Sequence, residues 1–128
     1  MPTFDEVREY AKSRYEFSED SAERFSLVFE YESGRMQKVV ISRFEAMDRE
    51  WCDFASACCS REQLSPEDAV RKNWDFAVGA LALEGDTYVI RYSLSLATMN
   101  LAEFELPLHV VARTADTLER ELTGGDKF

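Results

Sequence analysis

Two stretches of this chain pair alternating apolar residues across turns too short to hold a crossover. In RFSLVFEYE the residues Phe25, Leu27, Phe29 and Tyr31 recur at period two, Ser33-Gly34 supplies a turn, and RMQKVVISRF returns, so 24–44 reads as a hairpin. In NWDFAVGALALEGDTYVIRYSLSL, residues 73–96, a strand over 77–83 turns at Glu84-Gly85-Asp86 and returns over 87–96. Tyr88, Ile90, Tyr92, Leu94 and Leu96 share one face of that return, while Arg91, Ser93 and Ser95 face the other way. Strands joined this tightly must be antiparallel, which rules against a doubly wound parallel sheet.

Helical signals separate and flank these hairpins. Thr3 with Glu6 forms a capping box, followed by Phe4, Val7, Ala11 and Tyr15 at helical spacing. The acidic, Ser-rich segment 16–23 reads as a loop. WCDFASACC carries a third strand, although its apolar residues do not alternate cleanly. Ser65 then caps a short helix with Pro66 at its first position and Glu67 and Asp68 at the positive end of the dipole. That helix ends near Trp74 or Phe76. From Asn100 and Glu103 onward, Leu101, Phe104, Leu108, Val111, Ala115, Leu118 and Leu122 follow in steps of three and four until Gly124-Gly125. Pro107 demands either a kink or a fresh helix start at 105–107. The sum is α+β: an antiparallel sheet of about five strands with three helices, in the order α-β-β-β-α-β-β-α. A single domain over 1–122 and a short tail over 123–128 account for the chain.

Composition narrows the function classes. With 25 acidic and 15 basic residues the formal charge is −10, and the cations are scattered singly. Such a field repels nucleic-acid phosphates and anionic membranes. No apolar run reaches membrane-span length, and the acidic start MPTFDEVREY is unlike a signal peptide. Three cysteines, two of them adjacent, fit free thiols in a reducing compartment better than a disulfide framework. The chain therefore reads as cytoplasmic.

Chemistry finds little support. Cys52, Cys58, Cys59 and the single histidine, His109, lack the paired spacing of a zinc site, because vicinal thiolates would have to splay apart. Buried free thiols are the expected reading, with a redox switch as the minor one. His109 follows the apolar stripe by one position, and as a base it needs a carboxylate that sequence cannot place. The carboxylate pairs Glu19-Asp20, Asp48 with Glu50, and Glu67-Asp68 lie in polar segments and suit capping and solubility. No phosphate-binding glycine loop, nucleophile elbow or EF-hand occurs. These observations predict no catalytic residue, no cofactor and no metal.

What remains is apolar surface. A sheet has two faces and only three helices are available. Val28, Val39, Ile41 and Val89 are read as opposite the better-defined apolar faces, where uncovered surface would meet a twin subunit or another protein.

The stretch SPEDAVRKNWDFAVGALALEGDTYVIRYSLSLATMNLAEFELPLHVVARTADTLEREL resembles the class I chaperones of type III secretion and the related YbjN-like domains. Asn73, Gly79-Ala80-Leu81-Ala82, Leu94-Ser95-Leu96, and Ala115-Asp116 with Leu118-Glu119 carry the resemblance, while Pro107 and the Cys-Cys pair depart from it. It implies a non-catalytic homodimer that holds a segment of a partner or effector protein, with a YbjN-like regulatory or adaptor protein binding a folded partner as the alternative. By the same resemblance Phe4, Val7, Ala11, Val28 and Val39 would line the client groove, Val70 and Trp74 would form the dimer contact, and exposed strand edges would accept extended peptide.

Overall fold

The alternating runs become strands of one sheet. In the structure, a computed structural model that describes residues 2–124, α1 (Phe4–Lys12) leads into β1 (Phe17–Asp20), β2 (Arg24–Glu30), β3 (Met36–Ala46) and β4 (Arg49–Ser60). Then come α2 (Pro66–Asn73), β5 (Ala80–Glu84), β6 (Thr87–Ser95), a 3-10 turn (Leu101–Phe104) and α3 (Glu105–Thr123). The sheet has six strands in the order β1-β2-β3-β4-β6-β5, and every neighbouring pair is antiparallel. The fold is α+β, as the tight turns require. Of the tail expected from 123, Thr123 closes α3 and Gly124 caps it in the left-handed region, and 125–128 lie outside the described residues. Among the described residues no helix is long and apolar enough to cross a membrane.

The sixth strand is β1, where a loop was expected. Its sequence Phe-Ser-Glu-Asp holds one apolar residue, so periodicity could not reveal it. Phe17 stacks on Phe25 across the strand pair, with centroids 4.5 Å apart and planes 11° from parallel. That contact and the pairing to β2 hold an otherwise polar edge strand.

Uneven alternation in β4 has a local cause. A bulge between Ala57 and Cys59 inserts Cys58, so both vicinal cysteines turn toward the helical side and are fully buried. Registered pairing between β3 and β4 runs from Ala46↔Arg49 to Val40↔Ala55. Beyond it buried Gln37 bridges the strands, donating from Nε2 to Ser56 Oγ at 2.8 Å and to the Ala57 carbonyl at 2.7 Å, while Ser56 Oγ donates to the Lys38 carbonyl at 2.6 Å. Backbone acceptors that the opened ladder would strand are thereby satisfied.

The helices pack against one face. Phe104, at the close of the 3-10 turn, sits among Phe54 (5.3 Å between centroids), Tyr10 (6.0 Å) and Phe25 (6.4 Å). Helix α3 starts afresh at Glu105, so Pro107 is its third residue, where a missing N–H removes no intrahelical bond. Its inner face buries Leu108, Val111, Ala112, Ala115 and Leu118 against the sheet.

One sequence expectation is overturned here. Leu27 pairs with Val39 and Phe25 with Ile41, so Val39 and Ile41 share the core face of β2 rather than opposing it. Both are fully buried. A return strand carries its face by register, and the hairpin turn rather than the composition of β3 sets that register.

Candidate functional site

Alternation that buries one set of strand residues leaves the other set on a face that no helix covers among the described residues. From β2 to β5 that face presents Val28, Val40, Ala55, Ala57, Val89 and Ala82, all partly or fully accessible, whereas their core-side neighbours Leu27, Ile41, Phe54 and Ile90 are almost wholly buried. The small side chains at its centre form a shallow trough. At one end Phe44 and Trp51, cross-strand partners on β3 and β4, stack with centroids 6.1 Å apart and planes 11° from parallel. The Arg91 guanidinium lies 5.3 Å from the Phe44 centroid and also donates through Nε to Asp53 Oδ1 at 2.7 Å. Ser93 donates to that same oxygen at 2.7 Å. Even so, burial pushes the Asp53 carboxyl above its ordinary pKa, against the opposing pull of Ser93 and Arg91.

The turn beyond the aromatic pair is strained. Met47 and Asp48 both take positive φ, 54° and 58°, in the two-residue link between β3 and β4. The strand twist favours this primed turn, which glycine or asparagine usually supplies, so a methionine there is held by the long hairpin around it.

A second uncovered surface is on α2. Ala69 is its buried contact, while Val70 and Trp74 stand 71% and 91% exposed. An indole left almost entirely in water is uncommon on a surface with no partner.

The proposed groove residues fall differently. Phe4, Val7, Ala11 and Val39 are in the core, at most 3% exposed, so they offer no surface to a client. The apolar side of α1 is consumed in covering β2. Val28 alone of the five is exposed, and it belongs to the open sheet face.

Strand edges are closed as well. Asn73 at the end of α2 accepts from the Leu81 N–H at 2.6 Å and donates to the Leu81 carbonyl at 3.4 Å. These are the outward backbone groups of edge strand β5, and the amide stands where a seventh strand would pair. Close behind, Gly79 has φ of 83°, and a Cβ there would come within 3.1 Å of Ile90 Cγ2. At the opposite edge, β1 is short, bulged and acidic. The route for an extended peptide by backbone pairing, implied by the resemblance, is blocked at Leu81.

Acid–base groups gather in one place away from both surfaces. Tyr15 donates to Glu105 Oε2 at 2.6 Å and lies 3.0 Å from His109 Nε2, which is itself 3.3 Å from Glu105. Tyr10 donates to the other carboxylate oxygen at 3.3 Å. Burial, then the bond to Glu105, raises the Tyr15 phenol well above its ordinary range, so it keeps the proton it donates to Glu105. The carboxylate that His109 needed is Glu105, one turn earlier on the same helix, a spacing legible in the sequence. These groups bond one another and tie the end of α1 to the start of α3.

The cysteines are free and buried. Cys58 and Cys59 sulfurs lie 3.7 Å apart, and burial raises the pKa of all three thiols. Among the described residues no group of three or more His, Cys, Asp or Glu side chains is placed to hold a metal ion.

Residues that carry the resemblance have structural roles in this geometry. Asp116 and Glu119 both grip Arg35, at 2.8 and 3.4 Å, anchoring the β2–β3 turn to α3. No protein-family model matches the chain, and a search among curated proteins finds no match either.

Proposed function

We propose that this chain is a non-catalytic protein-binding module that works as a homodimer. The observation that carries the reading is the sheet covered on one face only, with a neutral, small-residue centre and a Phe-Trp-Arg cluster at its end. Aromatic and arginine side chains of this kind dominate binding energy at protein interfaces. Type III secretion chaperones and YbjN-like adaptors, the two groups the chain resembles, differ in whether the partner is an extended segment or a folded protein. Burial of Phe4, Val7, Ala11 and Val39, together with the Asn73 block on Leu81, favours the folded partner. A broad flat face and a helix bearing one large indole suit such a partner better than a threaded peptide.

Affinity capture from the native cell, with light scattering on the purified protein, tests this. The wild type is compared with Ala55→Arg on the open face and Trp74→Arg on α2. A partner lost from a folded variant supports the module. Equal capture by both variants, or a monomer that captures nothing, sinks it.

A further inference from the structure

We propose that the open face of the sheet takes a second copy of this chain, packed face to face. This rests on the reading of that face as a docking surface, and it moves the dimer contact away from Val70 and Trp74.

Charge gives the first argument. The chain carries −10, yet on this face Arg24, Lys38, Arg49 and Arg91 are balanced by Glu19, Glu30, Asp53 and Glu84, with Lys38–Glu19 and Arg91–Asp53 paired within the copy. The acidic excess therefore lies on other surfaces. Two molecules of like charge repel wherever that excess faces itself, and this face is where the repulsion vanishes. A basic partner would be drawn to the acidic surfaces instead.

The layout of those charges also permits self-contact. Glu19, Arg24, Glu30 and Lys38 stand on β1 to β3, and Arg49, Asp53, Arg91 and Glu84 stand on β4 to β6. A two-fold axis running along the strands between β3 and β4 lays the β1–β3 half of one copy over the β4–β5 half of the other. Each half carries both signs in equal number, Glu19, Arg24, Glu30 and Lys38 on one and Arg49, Asp53, Arg91 and Glu84 on the other, so neither half meets a like-charged surface. Such an isologous contact makes every favourable pair twice.

Shape and area agree. Ala55, Ala57 and Ala82 let a second sheet approach to the roughly 10 Å of ordinary sheet packing. Six strands about 4.8 Å apart and some 20 Å long present roughly 500 Å² per copy. Two copies would bury on the order of 1,000 Å², the size at which specific interfaces begin.

The only two tryptophans report on the two surfaces separately, Trp51 on the open face and Trp74 on α2. Sedimentation equilibrium from micromolar to millimolar protein, run with oxidative footprinting of both indoles, is the test. We expect a wild-type dimer that tightens as salt rises, because screening removes the residual repulsion. Trp51 becomes protected as the dimer forms, while Trp74 stays reactive. Ala55→Arg, with unchanged circular dichroism, should weaken association by about 100-fold through burial of an unpaired charge, and Trp74→Arg should leave it intact. A wild type that stays monomeric at all concentrations overturns the proposal. So does a dimer broken by Trp74→Arg and kept by Ala55→Arg. Should Ala55→Arg fail to fold, the wild-type footprint decides, and an unprotected Trp51 in a dimer overturns the proposal. A monomeric wild type whose partner capture is lost in Ala55→Arg would leave the docking reading standing with another occupant. In a monomeric wild type, capture unaffected by that variant would sink both the dimer and the open face as a docking surface.

Discussion

Replacing Arg35 by leucine should be among the most damaging single changes in this protein. Arg35 bonds Asp116 and Glu119 from the end of the β2–β3 turn, and those side chains are 6% and 0% exposed. Leucine keeps the aliphatic packing and leaves two carboxylates facing each other without the guanidinium between them. Removing one partner of a buried ion cluster costs about 3–5 kcal/mol, because desolvation remains while the compensating charge is gone. Against a total stability of roughly 5–15 kcal/mol for a domain, that is a large fraction. Urea unfolding at neutral pH reads it directly: with a slope of about 1–3 kcal/mol per molar, the midpoint should fall by at least about 1 M. Adding Asp116→Asn and Glu119→Gln to the same background should restore most of the loss, since neutral amides remove the repulsion between the two carboxylates. Arg71→Ala is the control. It breaks a fully surface-exposed pair with Glu67 one turn away, and it should cost no more than about 0.5 kcal/mol. An Arg35→Leu protein within about 1 kcal/mol of wild type would refute the claim that this cluster holds the turn to α3.

Further consequences can be measured on the same preparation. Phe104→Ala, which empties a site enclosed by Phe25, Phe54 and Tyr10, should cost about 3–5 kcal/mol by thermal or urea unfolding. Burial holds the Asp53 carboxyl above its ordinary pKa, so its stabilising contribution is complete below the unfolded value and is lost as pH rises through the higher folded-state value. Asp53→Asn, which keeps an acceptor for Arg91 and Ser93, should therefore match or exceed wild-type stability at neutral pH at equal protein concentration, and a clear loss there would contradict the shift. Cys52, Cys58 and Cys59 should react with a thiol reagent only on the timescale of unfolding at neutral pH, because they are buried with raised pKa. Asn73→Ala should bare the Leu81 N–H and carbonyl, cost roughly 1–2 kcal/mol, and promote aggregation visible by light scattering.

Local signals were read well where one residue type has one physical use. Thr3, Ser65 and Asn100 accept from the backbone three residues on, and Pro66 opens α2, as their sequence contexts indicated. The two hairpins followed from period-two alternation and turn residues. Legibility failed where the answer depended on a neighbour rather than on the segment. β1 exists because Phe17 finds Phe25, and nothing within Phe-Ser-Glu-Asp announces that. Val39 looks interchangeable with Val40 in the sequence, yet pairing with Leu27 sends one to the core and the other to the open face. The same ambiguity misplaced the candidate groove, since an amphipathic α1 predicts an apolar stripe and not whether that stripe is already covered. Trp74, which the resemblance assigns to a dimer contact, is almost fully exposed.

Edges and faces have different consequences for association. An edge pairs through backbone groups that every protein possesses, so an open edge is indiscriminate and, once extended, presents another edge. Pairing of that kind does not terminate. This sheet closes β5 with the Asn73 amide and keeps β1 to four residues, bulged and two of them acidic, while leaving a broad face uncovered among the described residues. A face recognises through side chains, so its charge layout and small-residue trough select the partner. When that partner is a second copy related by a two-fold axis, each copy's open face is used up by the other, and growth stops at two. Under the proposed dimer, the protected edges and the exposed face are parts of one solution, with the unlimited route blocked and the self-limiting route left open.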